Sequence, residues 1–580
     1  MAEAGLYRGL LDLKASMERW RGLEGDTQER TELALMIQAQ AVELDLATAE
    51  PAWAATAVSE IEALQGRLLE MEYALIPHGL HVVGRIPTAA QRADLIAAMC
   101  EDGAVPPRAA IDALANGASP EKAMAGLPQD ATHLARLREL AESNRLLSED
   151  AELPGILRAL DGRYVRPAPG GDLLRTPQVL PTGRNLHGFD PFRIPSAYAV
   201  RDGARQAQLL LDRHAQDGHP LPESIAIVLW GTDNLKTEGT PIAQALALMG
   251  AQPRFDSYGR LAGAMLIPLE TLGRPRIDAV MTLSGIFRDL LPLQIKLLAE
   301  AAFLAASADE PEDRNFVRKH ALAYQRERGC DLETAALRVF GNADGTYGSN
   351  VNLLVDSGRW DDEDELAETY TRRKGFAYGR GGRPVQQAAL LTSVLADVQL
   401  TFQNLDSIEL GVTTVDTYFD TLGGISRAVQ RAKGGTAAPV YIGDATRGAG
   451  TVRTLSEQVS LETRTRMLNP KWYEGMLEHG YEGVRQIEVH ITNTMGWSAT
   501  TGQVQPWVYK QLTETFVLDA AMRERLATLN PAASLKVANR LIEAFERSYW
   551  QPDAETLEAL RRAGEELEDR LEGVYEGITA

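Results

Sequence analysis

Two carboxylates and two histidines lie close together in the segment LLEMEYALIPHGLHVVG. Glu70 and Glu72 belong to the end of a helix with an apolar stripe, and His78 and His81 follow it. Because proline and glycine beside the histidines end the helix, both imidazoles are expected on its exit loop. A carboxylate with a neutral imidazole can accept protons or hold a hard or borderline cation. A helix-end loop whose histidines bond to the backbone is the plainer interpretation, and the spacing alone favours it.

A second polar group lies in PTGRNLHGFDP, which carries Arg184, Asn185, His187 and Asp190. Dense glycine and proline restrict the backbone while polar side chains project from it, as in many binding loops. A well-packed connector between domains would show the same composition. The pattern supports these two interpretations equally.

Two further candidates follow apolar runs that are typical of buried strands. Asp233 comes after SIAIVLW in WGTDNLKTEG, and Arg288 comes after IDAVMTL in SGIFRDLLP. Ligand groups gather at the carboxyl ends of parallel strands, so both loops are expected to face a ligand. A guanidinium there would suit a carboxylate or a phosphate. The plainer alternatives are a helix N-cap for Asp233 and an internal salt bridge between Arg288 and Asp289.

The elements that must position these groups change along the chain, which is too long for one core. Three- and four-residue apolar spacing predicts a helical domain over 1–150. A Pro/Gly-rich functional loop or connector follows over 151–200, and alternating helices and apolar runs predict an α/β domain with a mostly parallel sheet over 201–310. A mixed, mainly helical domain over 311–520 and C-terminal helices over 521–580 complete the chain. The fold class is therefore multidomain α/β.

Composition excludes several function classes. The 580 residues include 80 acidic and 59 basic side chains, a formal net charge of −21, which repels phosphates and disfavours nucleic-acid binding. Two isolated cysteines exclude a disulfide framework and a cysteine-rich metal site. No signal peptide and no run of about 18 apolar residues occurs, so we expect no integral membrane segment and a cytoplasmic location. The phosphate loop G-x-x-x-x-G-K-[ST] and the dinucleotide fingerprint G-x-G-x-x-G are also absent, which argues against a self-contained ATPase or nicotinamide enzyme.

Long motifs follow one another from LIPHGLHVVG to LEDRLEG. They include LWGTDNLKTEGTPIAQALALMGAQPRFDSYGRLAGAMLIPLE, RPRIDAVMTLSGIFRDLLPLQ, DEPEDRNFVRKHA, TFQNLDSIELGVTTVDTYFDTLGGISRAV and LNPKWYEGMLEHGYEGVRQIE. In this order they resemble the large, porphyrin-binding subunit of bacteriochlorophyll-type magnesium chelatase. Cobaltochelatase large subunits share forms of the strand-end and NPKWYEGM motifs, but DSYGRLAGA, NFVRKHA and TFQNLDSIELGVT favour the magnesium branch. The family's large subunit is longer, with an N-terminal region that has no counterpart here, so we expect a C-terminal portion.

The resemblance implies insertion of Mg²⁺, as substrate, into protoporphyrin IX during (bacterio)chlorophyll biosynthesis. It also implies two AAA+ type partner subunits that hydrolyse ATP, in keeping with the missing phosphate loop. Within this frame we assign His81 and Glu72 to proton removal or metal delivery, with His78 second. The metal ligands themselves stay unassigned.

The remaining candidates are assigned to substrate binding. Asn185, His187 and Asp190 would line the cavity with Asp233, and Arg288 or Arg184 would pair with a porphyrin propionate. Two alternatives of other classes stay open at this point. The chain would be either a non-catalytic porphyrin-binding or partner-docking fragment, or a purely structural helical scaffold without pigment binding, which the Pro/Gly/His/Asp loops disfavour.

Overall fold

A computed structural model describes residues 1–25, 27–53, 56–100, 105–128, 130–169, 171–185, 188–405 and 407–574. The strands in these ranges are β1 (Ala2–Glu3), β2 (Leu75–Ile76), β3 (Ser224–Leu229), β4 (Ala251–Phe255), β5 (Leu261–Leu266), β6 (Asp278–Leu283), β7 (Val339–Gly341), β8 (Phe376–Tyr378), β9 (Pro384–Gln386), β10 (Leu400–Asn404), β11 (Val440–Asp444) and β12 (Thr451–Thr454).

The α-helices are α1 (Gly9–Arg21), α2 (Gln28–Glu43), α3 (Ala57–Tyr73), α4 (Ala89–Ala98), α5 (Arg108–Ala115), α6 (Pro120–Ala123), α7 (Ala131–Leu147), α8 (Glu152–Leu160), α9 (Ala197–Gln216), α10 (Gly231–Lys236), α11 (Thr240–Leu248), α12 (Leu269–Leu272), α13 (Gly285–Leu290), α14 (Pro292–Ser307), α15 (Phe316–Arg328), α16 (Leu332–Ala335), α17 (Val351–Ser357), α18 (Asp364–Lys374), α19 (Ala388–Ala396), α20 (Asp416–Tyr418), α21 (Gly424–Ala432), α22 (Leu455–Glu462), α23 (Pro470–Leu477), α24 (Tyr481–Thr501), α25 (Pro506–Thr513), α26 (Ala520–Leu529), α27 (Pro531–Glu546) and α28 (Ala554–Glu572). Short π-helical segments cover Phe419–Gly423, Thr463–Met467 and Glu514–Leu518.

The chain forms two compact units. The first comprises 1–82, 460–491 and 505–580, and the second comprises 83–459 and 492–504. The sequence analysis divides the chain into consecutive segments. It therefore does not anticipate a unit that combines the N-terminal and C-terminal parts of the chain.

The first unit is built on apolar helix faces. In α1, Leu10, Leu13, Met17 and Trp20 are buried at three- and four-residue spacing and pack with buried side chains of α2 and α3. The short strands β1 and β2 pair in antiparallel fashion. These helices confirm the helical prediction for this part of the chain.

The second unit contains an eight-stranded sheet in the order β12-β11-β10-β3-β6-β7-β8-β9. The five strands from β11 to β7 are parallel, and antiparallel strands flank them on both sides. Strands β3 and β6 are buried along their whole length, which is why they appear in the sequence as unbroken apolar runs. The chain passes from β3 to β6 and β7 on one side, and later returns to β10 and β11 on the other side of β3. The order of strands therefore reverses between β3 and β10, the place where open α/β sheets bind ligands.

The predicted multidomain α/β class is confirmed. The helices α4, α6 and α7 are N-capped by Thr88, Ser119 and Asp130, since each side chain accepts a hydrogen bond from the first turn of its helix. Two features differ from the prediction. Strand β5, in the predicted α/β region, pairs with β4 outside the main sheet, and 311–520 contributes six strands, β7 to β12, to the sheet. Among the described helices, none combines the length and the apolar character needed to cross a bilayer.

Candidate functional site

A cavity of about 250 Å³ lies at the carboxyl ends of the central parallel strands. The loops after β3, β6, β7 and β10 all contribute to it, as the reversal of strand order predicts. Its lining residues are Trp230, Gly231, Thr232, Ser284, Gly285, Ile286, Tyr347, Gly348, Lys374, Leu410, Val415, Thr417, Tyr418, Asp420 and Thr421.

Two glycines allow the strand-end loops to approach each other. A Cβ at Gly231 would lie 2.6 Å from the backbone nitrogen of Phe287, and a Cβ at Gly285 would lie 2.0 Å from the ring of Tyr347. Ser284 joins the loops, because its Oγ accepts hydrogen bonds from the backbone N–H groups of Gly231, at 3.0 Å, and Phe287, at 3.2 Å. These contacts therefore hold the loops after β3 and β6 against each other where they line the cavity.

Lys374 brings a cation into this site. It ends α18, and its side chain is buried, with 1% of the residue exposed. Its Nζ donates to the carbonyl oxygen of Leu283, the last residue of β6, at 2.9 Å. Burial lowers the pKa of this ammonium from its ordinary value to about 8, and the nearby Asp420 acts in the opposite direction. At neutral pH most of the side chain is still protonated.

Asp420 is the second charged residue that lines the cavity. It lies in the π-helical segment Phe419–Gly423 and is 1% exposed. Its carboxylate accepts hydrogen bonds from the backbone N–H of Ser349 at 2.6 Å, from the Ser349 hydroxyl at 2.8 Å, and from the backbone N–H of Asn352 at 3.1 Å. Its charge is therefore stabilised by the protein itself, whereas Lys374 has one hydrogen-bond acceptor among the described residues.

Aromatic rings form much of the remaining wall. Trp230 and Tyr418 have ring centroids 5.2 Å apart, and the indole N–H of Trp230 donates to Gln403 at 3.2 Å. Tyr347 is 54% exposed, so it lies towards the mouth of the cavity. Its hydroxyl donates to Asp289. Such walls suit a flat, conjugated ligand group.

Comparison with known proteins decides the family. The profile of the CobN/Magnesium Chelatase family matches residues 1–144 and 108–557. The chain belongs to this family. A magnesium-chelatase subunit of Cereibacter sphaeroides is 59% identical over 577 residues, which are 99% of this chain and 44% of that protein. Its counterpart from Rhodobacter capsulatus is 58% identical with the same coverage.

A solved structure of the same family agrees with the fold. The catalytic subunit of cobaltochelatase from Mycobacterium tuberculosis is 32% identical, with a TM-score of 0.90 over 98% of this chain and 52% of that one. The chain therefore spans about half the length of the solved relative and less than half the length of the two magnesium-chelatase relatives.

The strand-end candidates lie beside the cavity. Arg288 is 7% exposed and donates to Asp289 at 2.8 Å and to the carbonyl oxygens of Ala343 and Thr346, both at 2.7 Å. The internal salt bridge foreseen for this residue is thus present, and its role towards a ligand stays a prediction. Asp233 is buried in the first turn of α10 but is not its N-cap, because that helix begins one residue after Trp230.

The candidates from the Pro/Gly-rich segment have structural partners. Arg184 donates to the carbonyl oxygens of Pro181, Gln178 and Leu180. Asn185 forms an isolated bridge with Pro167, and Asp190 accepts from the backbone N–H of Phe192 at the start of a short 3₁₀ helix. His187 lies outside the described residues. These contacts explain the local backbone, and no ligand role for the segment is tested by them.

The candidates near the chain start belong to the first unit. Glu72 accepts a hydrogen bond from Lys14 at 2.8 Å, and His78 and His81 are exposed on the loop after β2. Another histidine holds this loop, since His479 Nε2 accepts from the backbone N–H of Leu80 at 2.9 Å. Within the described ranges, no three His, Cys, Asp or Glu side chains gather into a metal-binding group. Proton removal or metal delivery by Glu72 and His81 stays a prediction.

Sequence reasoning missed Lys374. It follows Arg372 and Arg373 at the end of the charged segment DELAETYTRRK, which is typical of a solvated helix face. Only the packing of α18 against the sheet buries it. The one sequence signal is its position directly before Gly375, where the helix ends and the chain turns back into β8.

Proposed function

We propose that this chain is part of the porphyrin-binding large subunit of a magnesium chelatase. In this role it would help to insert Mg²⁺ into protoporphyrin IX in (bacterio)chlorophyll biosynthesis, in the cytoplasm. The observation that carries the proposal is 59% identity to a magnesium-chelatase subunit over 99% of the chain. The lower identity of 32% to the cobaltochelatase structure favours magnesium over cobalt.

The chemistry explains why such a protein needs partners. Two pyrrole N–H protons must leave the macrocycle, and Mg²⁺ gives up its tightly held waters reluctantly. The chain lacks a phosphate loop, so we assign ATP hydrolysis to two AAA+ type subunits that act on it. Glu72 and His81, with His78 second, are our candidates for accepting the protons or delivering the metal.

A cavity of about 250 Å³ is smaller than the roughly 300–1,000 Å³ of typical pockets for drug-sized ligands, so it does not enclose a whole tetrapyrrole. Because the chain spans 44% of its magnesium-chelatase relatives, a fragment that binds porphyrin or docks partners without turnover is the second candidate. Both candidates predict tetrapyrrole binding or partner binding, and only the first predicts metal insertion.

The test is a titration of the purified chain with deuteroporphyrin, followed by the Soret band and by tryptophan fluorescence. Saturable binding is expected, and chelation is then measured after addition of the two ATPase subunits, Mg²⁺ and ATP. Binding without chelation would favour the fragment alternative. A folded chain that binds no porphyrin would overturn the proposal that this part of the subunit holds the substrate.

A further inference from the structure

The cavity at the strand ends contains a cation whose hydrogen-bonding capacity is mostly unused. An ammonium group has three N–H donors, and Lys374 donates one hydrogen bond, to the Leu283 carbonyl at 2.9 Å. A buried charge without sufficient partners is costly, and an anion in contact with it removes part of that cost. Asp420 is not arranged as that anion, because it forms no ion pair with Lys374 within 4 Å in the described structure and three donors from Ser349 and Asn352 already bind it.

The arginines near the loops do not line the cavity. Arg288 is engaged through Nε and Nη1 by Asp289 and by two backbone carbonyls, its Nη2 is buried without a partner, and its Cζ lies 5.0 Å from the centroid of the Tyr347 ring. Arg184 is engaged by three carbonyls of its own segment. Among the described residues that line the cavity, Lys374 is the only cation.

The size and the lining of the cavity restrict the rest of the ligand that carries the anionic group. At about 250 Å³ the space is too small for a macrocycle but admits one carboxylate-bearing edge of it. The walls around Lys374 are aromatic at Trp230, Tyr418 and Tyr347, and apolar at Ile286. Aromatic side chains in the lining favour a flat conjugated group with a charged end.

We propose that this cavity binds one propionate-bearing edge of the tetrapyrrole, with the Lys374 ammonium paired to the propionate carboxylate between Trp230 and Tyr347. The inference rests on the proposed function and adds a specific subsite to it. Lys374 is a binding residue in this scheme. It orients the macrocycle by one corner and leaves the pyrrole nitrogens outside the cavity.

The experiment compares two ligands on the same full chain. Deuteroporphyrin carries free propionates, and its dimethyl ester carries none, so the ratio of their Kd values measures what the carboxylates contribute. A hydrogen bond to a charged group predicts a preference of about tenfold or more for the free acid. In Lys374→Met, which keeps an unbranched side chain and removes the charge, this preference is expected to fall to about one- to threefold.

Lys433→Met is the matched control. Lys433 also donates to a single backbone carbonyl, that of Val398 at 2.9 Å, and it lies outside the cavity lining. It should keep the wild-type preference for the free acid. The ester comparison on the wild-type chain needs no substitution, so it stands even where Lys374→Met folds poorly.

The outcomes separate the two proposals. Equal affinity of the wild-type chain for acid and ester, or an unchanged preference in Lys374→Met, overturns the propionate subsite while porphyrin binding itself stands. A preference lost equally in Lys433→Met overturns it as well. Absence of binding for both ligands to folded wild-type chain overturns the proposal that this part of the subunit holds the substrate, and the subsite with it.

Discussion

Buried charged side chains lie at both ends of the central parallel strands, but in the described part of the chain only those at the amino ends form ion pairs with each other. At their amino ends, Asp278 accepts hydrogen bonds from Arg338 at 2.7 Å and from His320 at 2.9 Å, and His320 also lies 3.4 Å from Glu223. Asp278 is 1% exposed and Arg338 is fully buried. At their carboxyl ends, Lys374 is equally buried but faces a cavity and has one carbonyl as its acceptor.

The difference shows how burial alone misleads in the search for a site. A buried ion that is paired with an opposite charge contributes to the fold, and removing one member of the pair leaves its partner uncompensated. A buried ion with unused donors beside empty space is arranged for something that the chain does not supply. Both groups lie at the ends of strands of one sheet, and they differ mainly in their partners and in the space around them.

The largest expected effect is at the amino end. Asp278→Asn leaves the guanidinium of Arg338 buried without its carboxylate, so the free energy of unfolding should fall by about 3–5 kcal/mol. Urea unfolding followed by tryptophan fluorescence measures it. Asp309→Asn is the control, because Asp309 is fully exposed and should change stability by less than about 0.5 kcal/mol. A loss below about 1 kcal/mol for Asp278→Asn would remove the contrast between the two ends.

The second expected effect is a pH dependence of ligand affinity at the carboxyl end. The free cavity holds Lys374 with a pKa of about 8, and the carboxylate binds the protonated form. Affinity should therefore be nearly constant between about pH 6 and pH 7, where the propionate is ionised, and fall by up to about tenfold between pH 7 and pH 9. Of the charged groups that act on Lys374, Asp420 raises its pKa, and Arg288 and Arg373 lower it. The hydrogen bond to Asp289 raises the pKa of Tyr347, which keeps that phenol protonated.

Deuteroporphyrin titrations at several pH values measure this dependence. Its disappearance in Lys374→Met, with its retention in Lys433→Met, would assign it to the cavity. A profile that is flat in the wild-type chain, or identical in all three proteins, would contradict a role for the ammonium in holding the carboxylate.

The third effect is small and has the opposite sign to the first. Lys374→Met removes a buried charge whose partners are few, and Asp420 keeps three donors of its own, so stability should be unchanged or rise by about 1 kcal/mol. The same urea assay measures it. A loss of about 3 kcal/mol or more would mean that Lys374 belongs to the fold in the same way as Asp278, and the two ends would no longer differ.

The sequence is informative where a pattern is local. The runs SIAIVLW and IDAVMTL predict β3 and β6 because both faces of these strands are covered, and the loops after them are expected at one edge of a sheet. Strand β10 escapes prediction because its buried residues, LTFQN, include Thr401, Gln403 and Asn404, which form no apolar run. Thr401 and Asn404 find hydrogen-bond partners that are distant in sequence, Ser426 and Gln244.

The sequence predicts where the candidate site lies, but it does not predict that Lys374 is its central residue. The strand-end rule locates the loops at Gly231 and Ser284, and both line the cavity. Lys374 is hidden because its burial depends on tertiary packing of a helix that is otherwise charged and exposed. The joining of 1–82 with 460–491 and 505–580 in one unit is hidden for the same reason, since it depends on contacts between distant segments.

The smallest expected effect on stability concerns an exposed ion pair. Lys14 and Glu72 are in contact at 2.8 Å, with side chains 36% and 23% exposed, so Glu72→Gln should cost less than about 1 kcal/mol. Because burial is what separates this pair from Asp278 and Arg338, a larger loss would weaken the explanation given for the amino end. Glu29→Gln, in the exposed pair of Arg19 and Glu29 of the same unit, is the matched control.

Because Glu72→Gln should cost little stability, a loss of activity in this variant would report on chemistry rather than on folding. If Glu72 and His81 remove pyrrole protons or deliver Mg²⁺, then Glu72→Gln and His81→Ala should lower the rate of metal insertion in the assembled chelatase at least about tenfold, since general acid–base groups contribute roughly 10²–10⁴-fold. Porphyrin affinity should change little, because the propionate subsite lies on other residues. Unchanged insertion in both variants, with Glu29→Gln as reference, would leave the exposed loop after β2 as a structural element and would rule out Glu72 and His81 as the proton acceptors.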